Sequence, residues 1–295
     1  MFFQGGISTK KTDALINEYV KLINSGISAS KILVILQNSN RRQYFSNKVF
    51  EKINVSAIEK PQIYSFYGLI YNAVKDNWAK LENILPQSPH TKILPNLIGL
   101  EVSQYLFRQI ISQIKFEGYN SKKSLLHQLF RRYSLIVQNN LTDEDVKWRC
   151  EEVLKESFAP DAKLALDKFK KETINIRAFD YLRQSLIFSY IYKNTNYFKD
   201  IEYFILDDGD EITPACFDFI KHIKPQLKDF FIAFDPLGSS RSGYLGADKN
   251  NCDNLKALFN GETQILKEES KMAYDAKILY ENITDKNYEK LWKNN

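Results

Sequence analysis

The residue types best suited to chemistry lie in GGISTKKT, Gly5 to Thr12, between the apolar start MFF and a segment of helical periodicity. A phosphate cradle is built from successive backbone N–H groups at a helix N-terminus, a lysine for the terminal phosphates and a hydroxyl for Mg²⁺. The pattern for such a loop is G-x-x-x-x-G-K-[ST]. Gly5, Lys11 and Thr12 fit it, and Lys10 stands where the second glycine belongs. Glycine at that place permits a backbone conformation and a close approach that a side chain hinders.

The stretch YFILDDGDEIT supplies the second group. Nucleotide hydrolysis needs acids at the tip of a neighbouring strand, one carboxylate holding Mg²⁺ through water and another orienting the attacking water. Asp207 and Asp208 close an apolar run and offer such a pair, with Asp210 and Glu211 as the alternative. The run ends at Leu206, which favours the first pair. The acids lack the spacing of oxygen ligands in a calcium loop. A third run, DFFIAFD, ends at Asp235 and enters a Gly/Ser-rich loop.

The elements that must position these groups can be read from periodicity. MFF, KILVIL, QIYSF, EYFILDD and DFFIAFD are short apolar runs without clean alternation, as strands covered on both faces are. After the first, Leu15, Ile16, Tyr19, Val20 and Leu22 share a helical face; after the second, Phe45, Val49 and Ile53 do. Strand alternating with helix predicts an α/β fold on a parallel sheet. From about Pro86 to Phe198 strand signals nearly vanish, and four amphipathic stretches beginning at Asn96, Lys123, Asp143 and Ile176 read as helices. The expected organisation is therefore a discontinuous sheet domain, 1–87 with 196–295, interrupted by an all-helical insertion over 88–195. The tail from Asp275 reads as a polar, Lys-rich helix.

Composition sets the frame. Of the 295 residues, 44% are hydrophobic and 26% charged, which predicts a folded soluble chain. A net charge of +5 permits a nucleic-acid partner without demanding one. Three scattered cysteines and three scattered histidines form no C-x-x-C pair, which argues against a disulfide framework or a zinc site. No apolar run reaches the roughly 18 residues of a membrane span. With no signal-peptide pattern either, a cytoplasmic protein without membrane association is expected.

In their order these pieces resemble the first motor domain of the UvrD/Rep-type superfamily 1 DNA helicases. That family's GxxGTGKT loop falls on GGISTKKT. Its TFTRAAARELRERI segment is similar in shape to ILVILQNSNRRQYFSNKV, and its TFHSL to Ser65-Phe66-Tyr67-Gly68-Leu69. VDEFQDTSPAQ resembles LDDGDEITPAC, and GDDDQSIYGFRGAD resembles FDPLGSSRSGYLGAD. The resemblance implies a P-loop, RecA-like sheet with an inserted helical subdomain, and ATP and Mg²⁺ as cofactors. Gly5, Gly6, Ser8, Thr9, Lys10, Lys11 and Thr12 would hold the nucleotide, Thr12 and Asp207 the metal, and Asp208 would be catalytic. Asn38, Arg41, Phe66, Tyr67 and Tyr244 fall on strand-binding segments, which implies single-stranded or partly duplex DNA as a partner.

The departures from the family sit where ATP is touched. Besides Lys10, Asp208 is one methylene shorter than the family's glutamate, pulling that carboxylate back by about 1.5 Å, and misplacement on this scale costs roughly 10²-fold in rate. Ser239 or Gly238 replaces a phosphate-sensing glutamine, Leu245 and Lys271 replace arginines, and the upstream glutamine motif and second motor domain find no counterpart. The expectation is the N-terminal ATP- and DNA-binding region of a UvrD-like helicase, a fragment or weakly active or inactive in hydrolysis alone, working with a second motor domain. The rival expectation is a catalytically degraded homologue that serves as a DNA-binding or scaffold subunit of a helicase–nuclease complex. A third is a P-loop-fold interaction protein with neither ligand.

Overall fold

The computed structural model describes residues 1–6, 9–54, 59–81, 94–114, 122–139, 141–153, 155, 160–238 and 246–267. Ser8, Ser239, Tyr244, Leu245, Lys271 and the expected tail helix lie outside these. In chain order the elements are β1 (Phe2–Gln4), α1 (Lys11–Asn24), β2 (Ile32–Leu36), α2 (Ser39–Lys52), β3 (Gln62–Ser65), α3 (Phe66–Leu81), β4 (Asn96–Leu97), α4 (Leu100–Ser112), α5 (Lys122–Gln138), α6 (Asp143–Trp148), α7 (Pro160–Asn175), β5 (Ala178–Phe179), α8 (Tyr181–Asn194), β6 (Tyr203–Leu206), α9 (Pro214–Ile223), β7 (Asp229–Phe234), α10 (Asn251–Phe259) and β8 (Thr263–Ile265).

The chain divides into two compact units. One comprises Met1–Ser65, Asp200–Ile212 and Ile223–Asn295, the other Phe66–Lys199 and Thr213–His222. Thus α3 and nearly all of α9 group with the helices, a division that the change of pattern near Pro86 does not anticipate.

In the first unit a six-stranded sheet runs in the order β3-β2-β6-β7-β1-β8, and every pairing is parallel. The five apolar runs supply its first five strands. β2 shows why the period-2 signal was missing: all of Ile32–Leu36 is buried, since both faces are covered. β8 joins the edge beside β1 and is exposed along its length, so it carries no apolar run by which a sequence could announce it. α1 buries Leu15, Ile16, Tyr19 and Ile23, and α2 buries Phe45 and Val49. These side chains share one core with Phe3, Ile32, Val34, Leu36, Ile205 and Ala233 of the strands.

In the second unit Phe107, Leu125, Leu129, Phe130, Tyr133 and Phe169 form the centre of a helical core. Phe107, Phe130 and Phe169 meet edge-on at centroid distances of 5.1–6.5 Å. α7 is a helix that the sequence pattern did not single out. β4 and β5 pair in parallel over two residues each, where only helix was expected. The expected helix from Asp143 gives way to a π-turn at Arg149–Val153.

Candidate functional site

Because the sheet is parallel, the ends of β1, β2, β6 and β7 open on one edge, where ligands of open α/β sheets bind. β1 and β6 lie two strands apart, about 10 Å, with β7 between them. The first turn of α1 spans that gap. Thr12 Oγ1 donates to Asp207 Oδ2 at 2.7 Å, joining positions 195 residues apart in the chain.

The loop before α1 is folded on itself. The Gly5 amide donates to Phe234 O at 3.2 Å, and Thr9 Oγ1 donates to Gly6 O at 3.0 Å. A Cβ on Gly5 would collide with the Thr9 hydroxyl, so this turn needs glycine. Lys11 Nζ donates to Gly5 O and to Gly6 O, each at 2.7 Å. Lys10 precedes α1 with φ 58 and ψ 32, in the left-handed region. That is the conformation for which glycine is the ordinary choice, so the backbone keeps a glycine-like shape although the residue does not. The Lys10 carbonyl still accepts from Ala14 N at 3.1 Å, opening the helix.

On the facing side, Asp207 is 3% exposed. Burial raises its carboxyl above the usual range, against the Thr12 hydrogen bond, the Arg41 charge, the Asp208 amide and the Lys11 charge. Asp208 stands at φ 51, ψ 50. Its carboxyl is raised to about 6, first by burial, then by the charges of Asp207 and Asp210, with Arg41 and Lys11 opposing. The backbone here supplies a physical reason for aspartate over glutamate, because Asp is among the few residues that enter the left-handed region readily.

Asp210 has a different task. Its Oδ1 accepts from Asp235 N at 2.9 Å, tying the turn after β6 to the end of β7. Gly238 packs so closely that a Cβ there would strike Asp210 Oδ2. Asn251, 1% exposed, donates from Nδ2 to Ile212 O at 2.7 Å and Asp210 O at 3.2 Å. It thereby holds the whole acidic turn from α10. Periodicity could not single out Asn251, because the side chain acts through partners some forty residues away.

Of the residues expected to meet nucleic acid, Asn38 caps α2 by accepting from Arg41 N at 3.0 Å, and the Arg41 side chain is exposed. In the helical unit, Phe66 packs against Phe188 at 5.7 Å and Phe219 at 6.4 Å. Tyr67 is 40% exposed, with its ring 4.7 Å from that of Tyr181. The family resemblance implies one role for Phe66 and Tyr67; their surroundings differ, one ring set among aromatics and the other 40% exposed.

Among the described residues no group of three or more His, Cys, Asp or Glu side chains is arranged to hold a metal, and no helix is long and apolar enough to cross a membrane. Mg²⁺ does not need an all-protein cage: it binds through one or two protein oxygens, waters and substrate phosphates. Thr12 and Asp207 fit that requirement as an adjoining hydroxyl and carboxylate. Lys11 fits a phosphate because, among the described residues, its ammonium hydrogen-bonds the loop carbonyls of Gly5 and Gly6.

No protein-family model matches the chain, and no curated protein matches it at a significant level. What points to a function is the α/β sheet and the groups gathered at its edge.

Proposed function

We propose that the sheet unit binds Mg-nucleotide in the manner of a UvrD-like helicase motor domain, ATP being the nucleotide and DNA the polymer on which the protein works. The observation that carries this reading is the 2.7 Å contact of Thr12 with Asp207 beside the Lys11 loop. In it, Lys11 leaves the Gly5 and Gly6 carbonyls for the terminal phosphates, and backbone amides of the first turn of α1 meet phosphate oxygens. Thr12 and Asp207 would hold Mg²⁺, which when bound would neutralise phosphate charge. Asp208, with its carboxyl near 6, is ionised at neutral pH and able to take a proton from water.

The short reach of Asp208 and the lysine at position 10 argue for slow or absent turnover by this chain alone. They keep alive the second reading, a degraded homologue that binds DNA or a helicase–nuclease partner as a scaffold. Thermal unfolding in millimolar Mg-ATP tests the first step. The unmutated chain is expected to gain stability by mass action, and Lys11→Ala to lose that gain. Absence of any nucleotide-dependent shift in the unmutated chain removes the reading.

A further inference from the structure

We propose that Arg41 belongs to the nucleotide site: its guanidinium takes the outermost phosphate of the nucleotide held by Lys11 and Thr12, and it is not a polynucleotide contact. This rests on the reading above and reassigns a residue that the family resemblance placed on the DNA side.

β2 and β6 are neighbours, with Ile35 opposite Leu206, and the Asp207 amide donates to Ile35 O at 3.0 Å. The chain therefore leaves β2 beside the Asp207–Asp208 turn. Asn38 then caps α2 through the Arg41 amide, which fixes Arg41 in the first turn, over that same strand edge. Tyr44 lies one turn further along α2 and donates from its hydroxyl to Asp13 Oδ1 at 2.9 Å. Asp13 directly follows Thr12. The Arg41–Tyr44 side of α2 is thus turned toward the start of α1, where the phosphate loop delivers its lysine.

Electrostatics points the same way. Arg41 and Lys11 are the two cations whose charges offset the burial of both Asp207 and Asp208. Among the described residues, no hydrogen bond or ion pair engages the Arg41 guanidinium. An arginine whose guanidinium is held by no ion pair among the described residues, beside a lysine and a helix N-terminus, offers a planar fork of donors matched to a phosphate oxygen pair. The two carboxylates beneath would repel a bare anion, which suits a ligand that arrives with Mg²⁺.

The test uses the full chain and two variants, Arg41→Ala and Arg41→Lys. Equilibrium titration measures Mg-ATP and Mg-ADP binding, and fluorescence anisotropy measures binding of a thymidine oligonucleotide. A lost charge-assisted hydrogen bond predicts that Arg41→Ala weakens Mg-ATP by roughly 10- to 100-fold, with Mg-ADP and the oligonucleotide nearly unchanged. Arg41→Lys, a point charge without the fork, is expected to recover only part of the loss. Both variants should fold, since the α2 cap uses the backbone of residue 41 and not its side chain; without ligand Arg41→Ala should melt slightly lower than the parent, having lost the charge that offsets Asp207 and Asp208, and Arg41→Lys should not. An unchanged ratio of ATP to ADP affinity in Arg41→Ala overturns the assignment while leaving the nucleotide reading intact. So does a loss confined to the oligonucleotide. A parent chain that binds neither nucleotide sinks both.

Discussion

Position 10 allows the loop's backbone to be tested apart from any ligand. Lys10 sits at φ 58, ψ 32, where an L-residue costs about 1–2 kcal/mol relative to the right-handed region. Glycine escapes that cost but loses more unfolded-state freedom, about 0.5–1 kcal/mol. Replacing lysine outright would also remove its amine, so the informative comparison is Lys10→Gly against Lys10→Ala. Both lack the amine, and they differ only in the Cβ. The balance favours Gly over Ala by about 0.5–1 kcal/mol. In a unit of this size that is a difference of about 2–4 °C in melting temperature at the upper end. Lys10→Val should be worse than Ala by a further ~1 kcal/mol, because a β-branched side chain tolerates the left-handed region least. Urea unfolding followed by circular dichroism reads the series, with the slope unchanged across it. Alanine or valine as stable as glycine would refute the reasoning, since it would mean that residue 10 does not hold a left-handed conformation in solution.

The acidic turn yields a pH prediction. The Asp208 carboxyl is raised to about 6 in the folded chain from an ordinary value near 3.8, so between these the native state holds more protons than the unfolded one and stability falls as pH rises. Asp208→Asn should therefore be more stable than the parent at neutral pH, and the gain should vanish below about pH 4; a gain independent of pH would rule out the titration of this group as its cause. Asn251 makes a second, structural prediction. Asn251→Ala strips two carbonyls, Asp210 O and Ile212 O, of their side-chain donor. It should lower the unfolding free energy by about 1–3 kcal/mol. A loss under about 0.5 kcal/mol, within the range of ordinary surface substitutions, would show that the turn holds without it.

The sequence by itself determined five of the sheet's six strands. MFF, KILVIL, QIYSF, EYFILDD and DFFIAFD are strands because short β-branched and aromatic runs without alternation can be buried only between two covering layers. It also determined which residues follow those strands, and so placed Asp207 and Asp208 at the tip of β6 and Lys11 and Thr12 at the start of the helix after β1. β8 and α7 were not legible: one is exposed throughout, and the other is a Lys-rich helix whose apolar stripe is short.

Only the tertiary structure decided which carboxylate faces the loop. The end of the apolar run favoured Asp207 over Asp210, but only the fold shows that Asp207 meets Thr12 while Asp210 accepts from the Asp235 amide. Only the fold could show that Lys10 adopts a glycine's backbone, that Asn251 holds the acidic turn, and that Arg41 shares an edge with Asp207. The physical reason is common to all of these. Periodicity reports which faces a residue buries, a local property of the chain. A hydrogen bond across a parallel sheet depends on strand order, and strand order is set by packing among segments that the sequence keeps some two hundred residues apart.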